Sequence, residues 1–282
     1  MFKELLKQID IAMLNDKKTI ERNLGKEYLN HVIFAEIDEY MTFYGRLSHS
    51  ISHWFSMGTS AITNLDTYVF SSLEGTLESI NLILKAGRMN DSYALLRKYY
   101  DATMINIYSN LFLDDNFSAQ NLIVKQIEDW KNGSETIPEY RVIARYIKNS
   151  PKLESITVLL QTDDRYKKIR DRCNDHMHYN FYRHLMYNDN KVYLGDRVDL
   201  LNTLSKDLKD LFTQHISYLF YLKEHYMMSS DYIDALEVGV EPEEEAQYFV
   251  APFVQEIFDN VVKEYRPDIA QLIKKETAME LQ

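Results

Sequence analysis

Apolar residues recur at three- and four-residue spacing along most of this chain, and Gly, Pro and Asn mark the places where that spacing lapses. The pattern predicts helices over residues 2–22, stopping before Gly25, and over 26–57, bent at Gly45. A third covers 60–85, with Gly87 placed to close it. Asn90 or Asp91 can cap a breaker-free helix to residue 113, and Asn116 or Ser118 can open a short one ending near Trp130, ahead of Asn132-Gly133. Residues 138–148 read as a small helix, and Pro151 suits the first turn of the next. No breaker occurs between 163 and 187, so one long helix is expected there, and another over 196–227. Residues 236–245 read as an acidic loop. Helices over 246–265, kinked or interrupted at Pro252, and over 267–279 complete the chain.

These segments predict an all-α helical bundle of roughly eight to eleven helices, folded as a single domain over 1–282. Composition agrees. Eight glycines and five prolines in 282 residues are too few for the turns of a parallel sheet or an all-β sandwich. No linker-like stretch and no internal repeat interrupts the chain.

The net charge of −11 argues against broad electrostatic capture of DNA, RNA or an anionic membrane, while leaving room for a local basic patch. Cys173 stands alone, which forbids an internal disulfide and a multi-cysteine zinc site and suits a reducing compartment. The opening MFKELLKQIDIAMLNDKK lacks the apolar run and cleavage site of a secretion signal. The longest uncharged run, 47–65, carries too many Ser, Thr and His for a bilayer span. A cytoplasmic protein is expected. No glycine-rich nucleotide loop is present, and neither a cofactor nor a metal is indicated.

The segment richest in chemistry is D-R-Y-K-K-I-R-D-R-C-N-D-H-M-H-Y-N-F-Y, residues 164–182. Arg165, Lys167, Lys168, Arg170 and Arg172 crowd together in an otherwise acidic protein, with His176 and His178 close behind. On a helical wheel Ile169, Cys173, Met177 and Phe181 form a core stripe. Arg170 and Asn174 then project inside or beside it, with His178 next to them, while Arg172 and His176 flank its other side. Burying such groups costs a few kcal/mol unless they are hydrogen-bonded. Alternatively, Arg170 reaches past the stripe to solvent and the histidines lie on the helix surface.

Arg170-Asp171 followed by His176, and Arg172 followed by His178, both resemble the Arg-x4–6-His motif of the HEPN superfamily, a group of all-helical domains of bacterial and archaeal toxin–antitoxin and anti-phage systems. The run G-R-M-N-D-S-Y-A-L-L-R-K-Y-Y-D, with Arg97 and Asp101 four residues apart, is similar to a helix of HEPN-like bacterial proteins. The Arg-x4-His-x-Tyr variant of the toxin branch does not occur. The resemblance covers about 65–226 and leaves peripheral helices at 1–58 and 246–279. It implies a metal-independent endoribonuclease or toxin, commonly working as a homodimer, with Arg170, Asp171, Arg172, Asn174, His176 and His178 as catalytic candidates. A histidine would take the 2′-hydroxyl proton, and an arginine fork would hold the developing phosphorane charge. The other class left open is a non-catalytic sensor, scaffold or antitoxin-like partner of the same fold, which the net charge favours.

Further constellations have plainer readings beside them. His49 and His53 could face a metal but lack a nearby Glu. Ser48, Ser52 and Ser56 suit close helix packing. Arg97 and Asp101 form an intrahelical pair that, if buried, could bridge to the Arg170–His178 helix. Tyr99, Tyr100, Tyr179, Tyr182 and Tyr187 could stack on RNA bases or fill cores and rims. Glu241 and Glu243 to Glu245 read as a solvated loop.

Overall fold

The computed structural model describes residues 18–52, 64–189 and 194–282. These fold as an all-α bundle: α1 (18–29), α2 (Ile33–Ser52), α3 (Leu65–Lys85), α4 (Met89–Asn116), α5 (Lys125–Lys131), α6 (Tyr140–Lys148), α7 (Glu154–Leu160), α8 (Arg165–Met177), α9 (Tyr182–Tyr187), α10 (Arg197–Leu222), α11 (Asp231–Glu237), α12 (Pro252–Ile257) and α13 (Pro267–Glu276). Among the described residues no β-strand forms, and the extended pairings are isolated bridges such as Met228 with Val250.

Two helices make the centre. α4 packs against α3, α6, α8 and α10, and α10 also meets α2 and α13. Every residue from Asn106 to Leu111 in α4 and from Asp210 to Phe220 in α10 is buried. A helix buried all round exposes no face on which to discard polar side chains, so Asn106, Asn110, Thr213, Gln214 and His215 lie in the interior. Around them pack rings such as Tyr40 on Phe212, stacked with centroids 3.9 Å apart.

The end of α3 is fixed by its glycine. Gly87 takes φ +76, and the Arg88 N–H reaches the Ile83 carbonyl at 3.2 Å while the Gly87 N–H reaches Leu84 at 2.8 Å. That pair of bonds is a Schellman closure, which needs a left-handed residue at this point. Arg197 from α10 donates to the Gly87 carbonyl, so the turn also anchors the start of the second central helix.

Several boundaries depart from the sequence reading. The expected helix over 163–187 is two helices, and the cause is local. The Asn180 N–H bonds the Asp175 carbonyl at 3.0 Å and Tyr179 stands at φ +51. This is the same closure as at Gly87, made by a tyrosine, with the Asn180 side chain adding a bond to Asp175 Oδ1 at 2.7 Å. The interruption expected at Pro252 is present, since residues 249–251 leave the helix and Pro252 opens α12 as a first-turn proline, and a π-helical stretch, Phe258–Lys263, adds a second irregularity. Helix α1 continues past Gly25, whose φ of +83 marks the expected break without ending the element. Residues 231–237, expected in part as loop, form α11. Splitting the longer segments in this way makes the helices more numerous and shorter than expected. The predicted stretches 2–17 and 53–63 lie outside the described residues.

Candidate functional site

Helix α8 carries the charged motif, and its buried face is set by Tyr166, Ile169, Cys173 and His176. This corrects the expected stripe. Ile169 and Cys173 are core, but Met177, at the end of α8, and Phe181, beyond the left-handed Tyr179, point outward, 38% and 59% exposed. His176, expected on a flank, occupies the inward position instead.

Arg170 donates from Nη1 to Asp101 Oδ1 at 2.7 Å and lies over the Tyr140 ring, its guanidinium carbon 3.5 Å from the centroid. Asp101 is shared: Arg97 Nε donates to its other oxygen at 3.0 Å, and Arg97 Nη1 donates to Asn174 Oδ1. The Arg97–Asp101 pair therefore does bridge α4 to α8, as its spacing allowed. Asn174 is held by Arg97, not by Arg170.

Arg172 faces the other way. Its Nε and Nη2 grip both oxygens of Asp207 at 2.7 and 2.8 Å, and Asp207, on α10, is buried. Burial raises the Asp207 carboxyl pKa while the arginine opposes that shift. Asp171 is exposed and pairs with Lys167 at 2.6 Å, a surface bond on one helix face.

His176 is enclosed. Its ring lies flat between Tyr93, 4.0 Å away at 8°, and His184, 4.1 Å away at 13°. Asn90 uses its amide nitrogen on the His184 carbonyl, so its oxygen accepts from His176 Nδ1 at 2.7 Å. His176 is thus the Nδ1–H tautomer, and burial followed by the neighbouring His184 pushes its pKa down to about 4. Tyr187, on the same cluster, is buried; its hydroxyl bonds Asp196. His178 lies just past α8, exposed, its imidazole without a hydrogen bond or ion pair among the described residues.

The six candidates are thus spread over separate partners. Arg170 and Asn174 look toward α4, Arg172 toward α10 and His176 toward the α4 start and α9, while Asp171 and His178 face solvent. Neither the cleft beside Arg172 nor the pocket beside Arg170 is lined by a histidine. Cys173 is buried, and its thiol pKa is pushed up to about 12, so it offers no thiolate.

A larger polar cluster escaped the sequence reading. His215 Nε2 bonds Asn106 Oδ1 at 2.9 Å, and its Nδ1 meets the Tyr44 hydroxyl at 2.7 Å, which meets Tyr99 at 2.8 Å. Asn106 and Asn110 each donate to Asp66 Oδ1, at 2.8 and 2.7 Å, and Tyr226 donates to Asp66 Oδ2 at 2.8 Å. The donors fix one direction: Tyr99 to Tyr44 to His215, and His215 through Asn106 to Asp66. Burial holds His215 down to about 3. A histidine within an apolar run was the available signal, along with two asparagines four residues apart.

Exposed apolar side chains follow one another from the end of α8 into α9: Met177, Tyr179, Phe181, Tyr182 and Leu185, with Tyr182 82% exposed. Of the five singled-out tyrosines, Tyr179 and Tyr182 are outward, whereas Tyr99, Tyr100 and Tyr187 are core. Glu241 and Glu243 to Glu245 lie exposed in a loop. Among the described residues no group of three metal-ligating side chains converges, and His53 lies outside them. No helix among them is long and apolar enough to cross a membrane. No protein-family model, curated protein or solved structure matches the chain.

Proposed function

We propose that this chain is an HEPN-like helical protein that acts through macromolecular contacts rather than by cutting RNA. The observation that carries the reading is the state of His176: buried, stacked on both faces, bonded through Nδ1 and neutral down to about pH 4. A base for a 2′-hydroxyl must reach its substrate and titrate near the working pH. Arg170 and Arg172 each commit part of the guanidinium to tying α8 to α4 and α10. The exposed patch from Met177 to Leu185 supplies the contact surface. In this reading a second copy of the chain covers the patch and makes a homodimer. The net charge of −11 disfavours RNA as the partner.

One observation favours the endoribonuclease of a defence or toxin–antitoxin system as a second reading. His178 is exposed, and its spacing partner Arg172 keeps one guanidinium edge unused, so a second copy could complete a composite site. Incubating the protein with labelled RNA and a chelator separates the two. The proposal expects intact RNA. Chelator-resistant cleavage that His178→Ala abolishes would replace it with the second reading. Light scattering of Phe181→Asp/Tyr182→Asp tests the surface: the wild type is expected as a dimer and the variant as a monomer, and equal masses would remove the patch from the account.

A further inference from the structure

Between α8, α10 and the approach to α13 lies a cleft of about 810 Å³. In a protein of net charge −11, five cationic side chains line it against four aspartates. Which of these charges remain available is set by their bonds.

The aspartates are consumed from inside. Asp207 is saturated by Arg172, and Asp210 accepts from Arg165 Nη1 at 2.9 Å and from the Tyr265 hydroxyl at 3.0 Å. Arg165 spends its remaining donors on Asp163. The cations are only partly consumed. Arg172 binds Asp207 side-on through Nε and Nη2, so its Nη1 edge points away from that carboxylate, and the side chain is 34% exposed. Lys206, one residue before Asp207, is exposed and has no hydrogen bond or ion pair among the described residues. Asn202 is oriented by His31. The Ile33 N–H donates to His31 Nδ1 at 3.1 Å, so His31 Nε2 donates to Asn202 Oδ1 at 3.0 Å. That leaves the Asn202 NH₂ group as a donor on the cleft wall.

We propose that this cleft binds a small phosphorylated ligand, with Arg172 Nη1, Lys206 Nζ and Asn202 Nδ2 as its donors. The chemistry matches. A guanidinium edge already fixed by a buried carboxylate loses little freedom on binding and meets phosphate oxygens in a charge-assisted geometry. A lysine adds a mobile point charge, and an amide adds a neutral donor that tells an oxyanion from a cation. The volume falls within the usual range for small-molecule sites. Size is limited by the rim. Asp163 and Asp164, 48% and 59% exposed, are paired with Arg165 and Lys168, so the lining is close to charge-balanced and suits a ligand of few phosphates, such as a nucleoside diphosphate or a sugar phosphate, better than a long polyanion. The proposal does not depend on the contact-protein reading above, since neither His178 nor the Met177–Leu185 patch takes part.

Calorimetric titration with inorganic pyrophosphate, ADP and an oligouridylate lacking terminal phosphates tests it at fixed salt. Pyrophosphate or ADP is expected to bind more tightly than about 1 mM. Lys206→Ala and Lys206→Gln should weaken that binding at least about tenfold with helicity kept and melting temperature nearly so, because Lys206 is exposed and makes no hydrogen bond or ion pair among the described residues. Pyrophosphate binding alone would assign the site to the phosphate group, and stronger ADP binding would add the nucleoside. Binding of neither anion, equal binding by the Lys206 variants, or binding of the oligouridylate alone would overturn the proposal.

Discussion

Replacing His215 by Phe tests whether the interior network of α4 and α10 is as tightly specified as its bonds imply. An aromatic ring is kept, one ring atom larger, and two hydrogen bonds are lost. Tyr44 retains Tyr99 as a partner, but Asn106 Oδ1 is left buried with nothing to accept from. One orphaned buried acceptor costs about 1–3 kcal/mol, so urea unfolding should show a midpoint shift of that size with an unchanged slope. pH gives a second signature. His215 has a folded pKa near 3 against 6.5 in the unfolded chain, so the unfolded state binds more protons between those values. Wild-type stability is therefore full above pH 6.5 and falls as pH drops toward 3, by about 2 kcal/mol at pH 5 from this residue alone. His176 adds a loss in the window from 6.5 down to about 4. His215→Phe removes its own share and keeps that of His176, so its acid slope should be shallower. A variant as stable as the wild type at pH 7, with the same acid slope, would refute the network as drawn.

The remaining predictions concern the joints around α8 and α3. Gly87→Ala should lower stability by about 1–2 kcal/mol in urea unfolding, since φ +76 strains any side chain. The new Cβ would also sit 2.8 Å from both Arg197 Nη1 and Leu24 Cδ2. Arg172→Ala should cost about 3 kcal/mol because it strands the buried Asp207 charge, with Arg172→Ala/Asp207→Leu recovering most of the loss. Arg170→Ala should cost less, about 1 kcal/mol, because Asp101 keeps Arg97 and stays partly in solvent. Equal costs for the two arginines would contradict the different burial of their partners, Asp207 and Asp101.

The fold class was legible from the spacing of apolar residues and the scarcity of Gly and Pro, because helix period and turn chemistry are local. The Arg97–Asp101 bridge to α8 was also within reach, since both ends lie at helical spacing. The end of α8 was hidden. It depends on a tyrosine adopting a left-handed conformation, a state that residue type does not announce and that the Asp175–Asn180 bonds impose. That break carried Phe181 out of line with the stripe, while the register of α8 itself sets His176 inward and leaves Met177 at the edge. Of the candidate residues, Arg170, Arg172, Asn174 and His176 are polar groups that find partners inside the fold, whereas Asp171 and His178 face solvent. Which partner each one finds, Asp101, Asp207 or Asn90, is a tertiary fact carried by α4 and α10. The Asp66–Asn106–His215 network was invisible for the same reason: its members lie far apart in sequence, and only the packing of α3, α4 and α10 brings them into one chain of bonds.

The claim that the motif histidine next to Arg170 and Arg172 is a structural group is tested most directly by NMR titration of the His176 ring. The account predicts an Nδ1–H neutral tautomer that stays unprotonated through pH 5 and titrates near 4, with Asn90→Ala raising that value by exposing the ring. A His176 that titrates at 6.5 or above in the folded protein, or that carries its proton on Nε2, would contradict it and return the residue to the catalytic candidates.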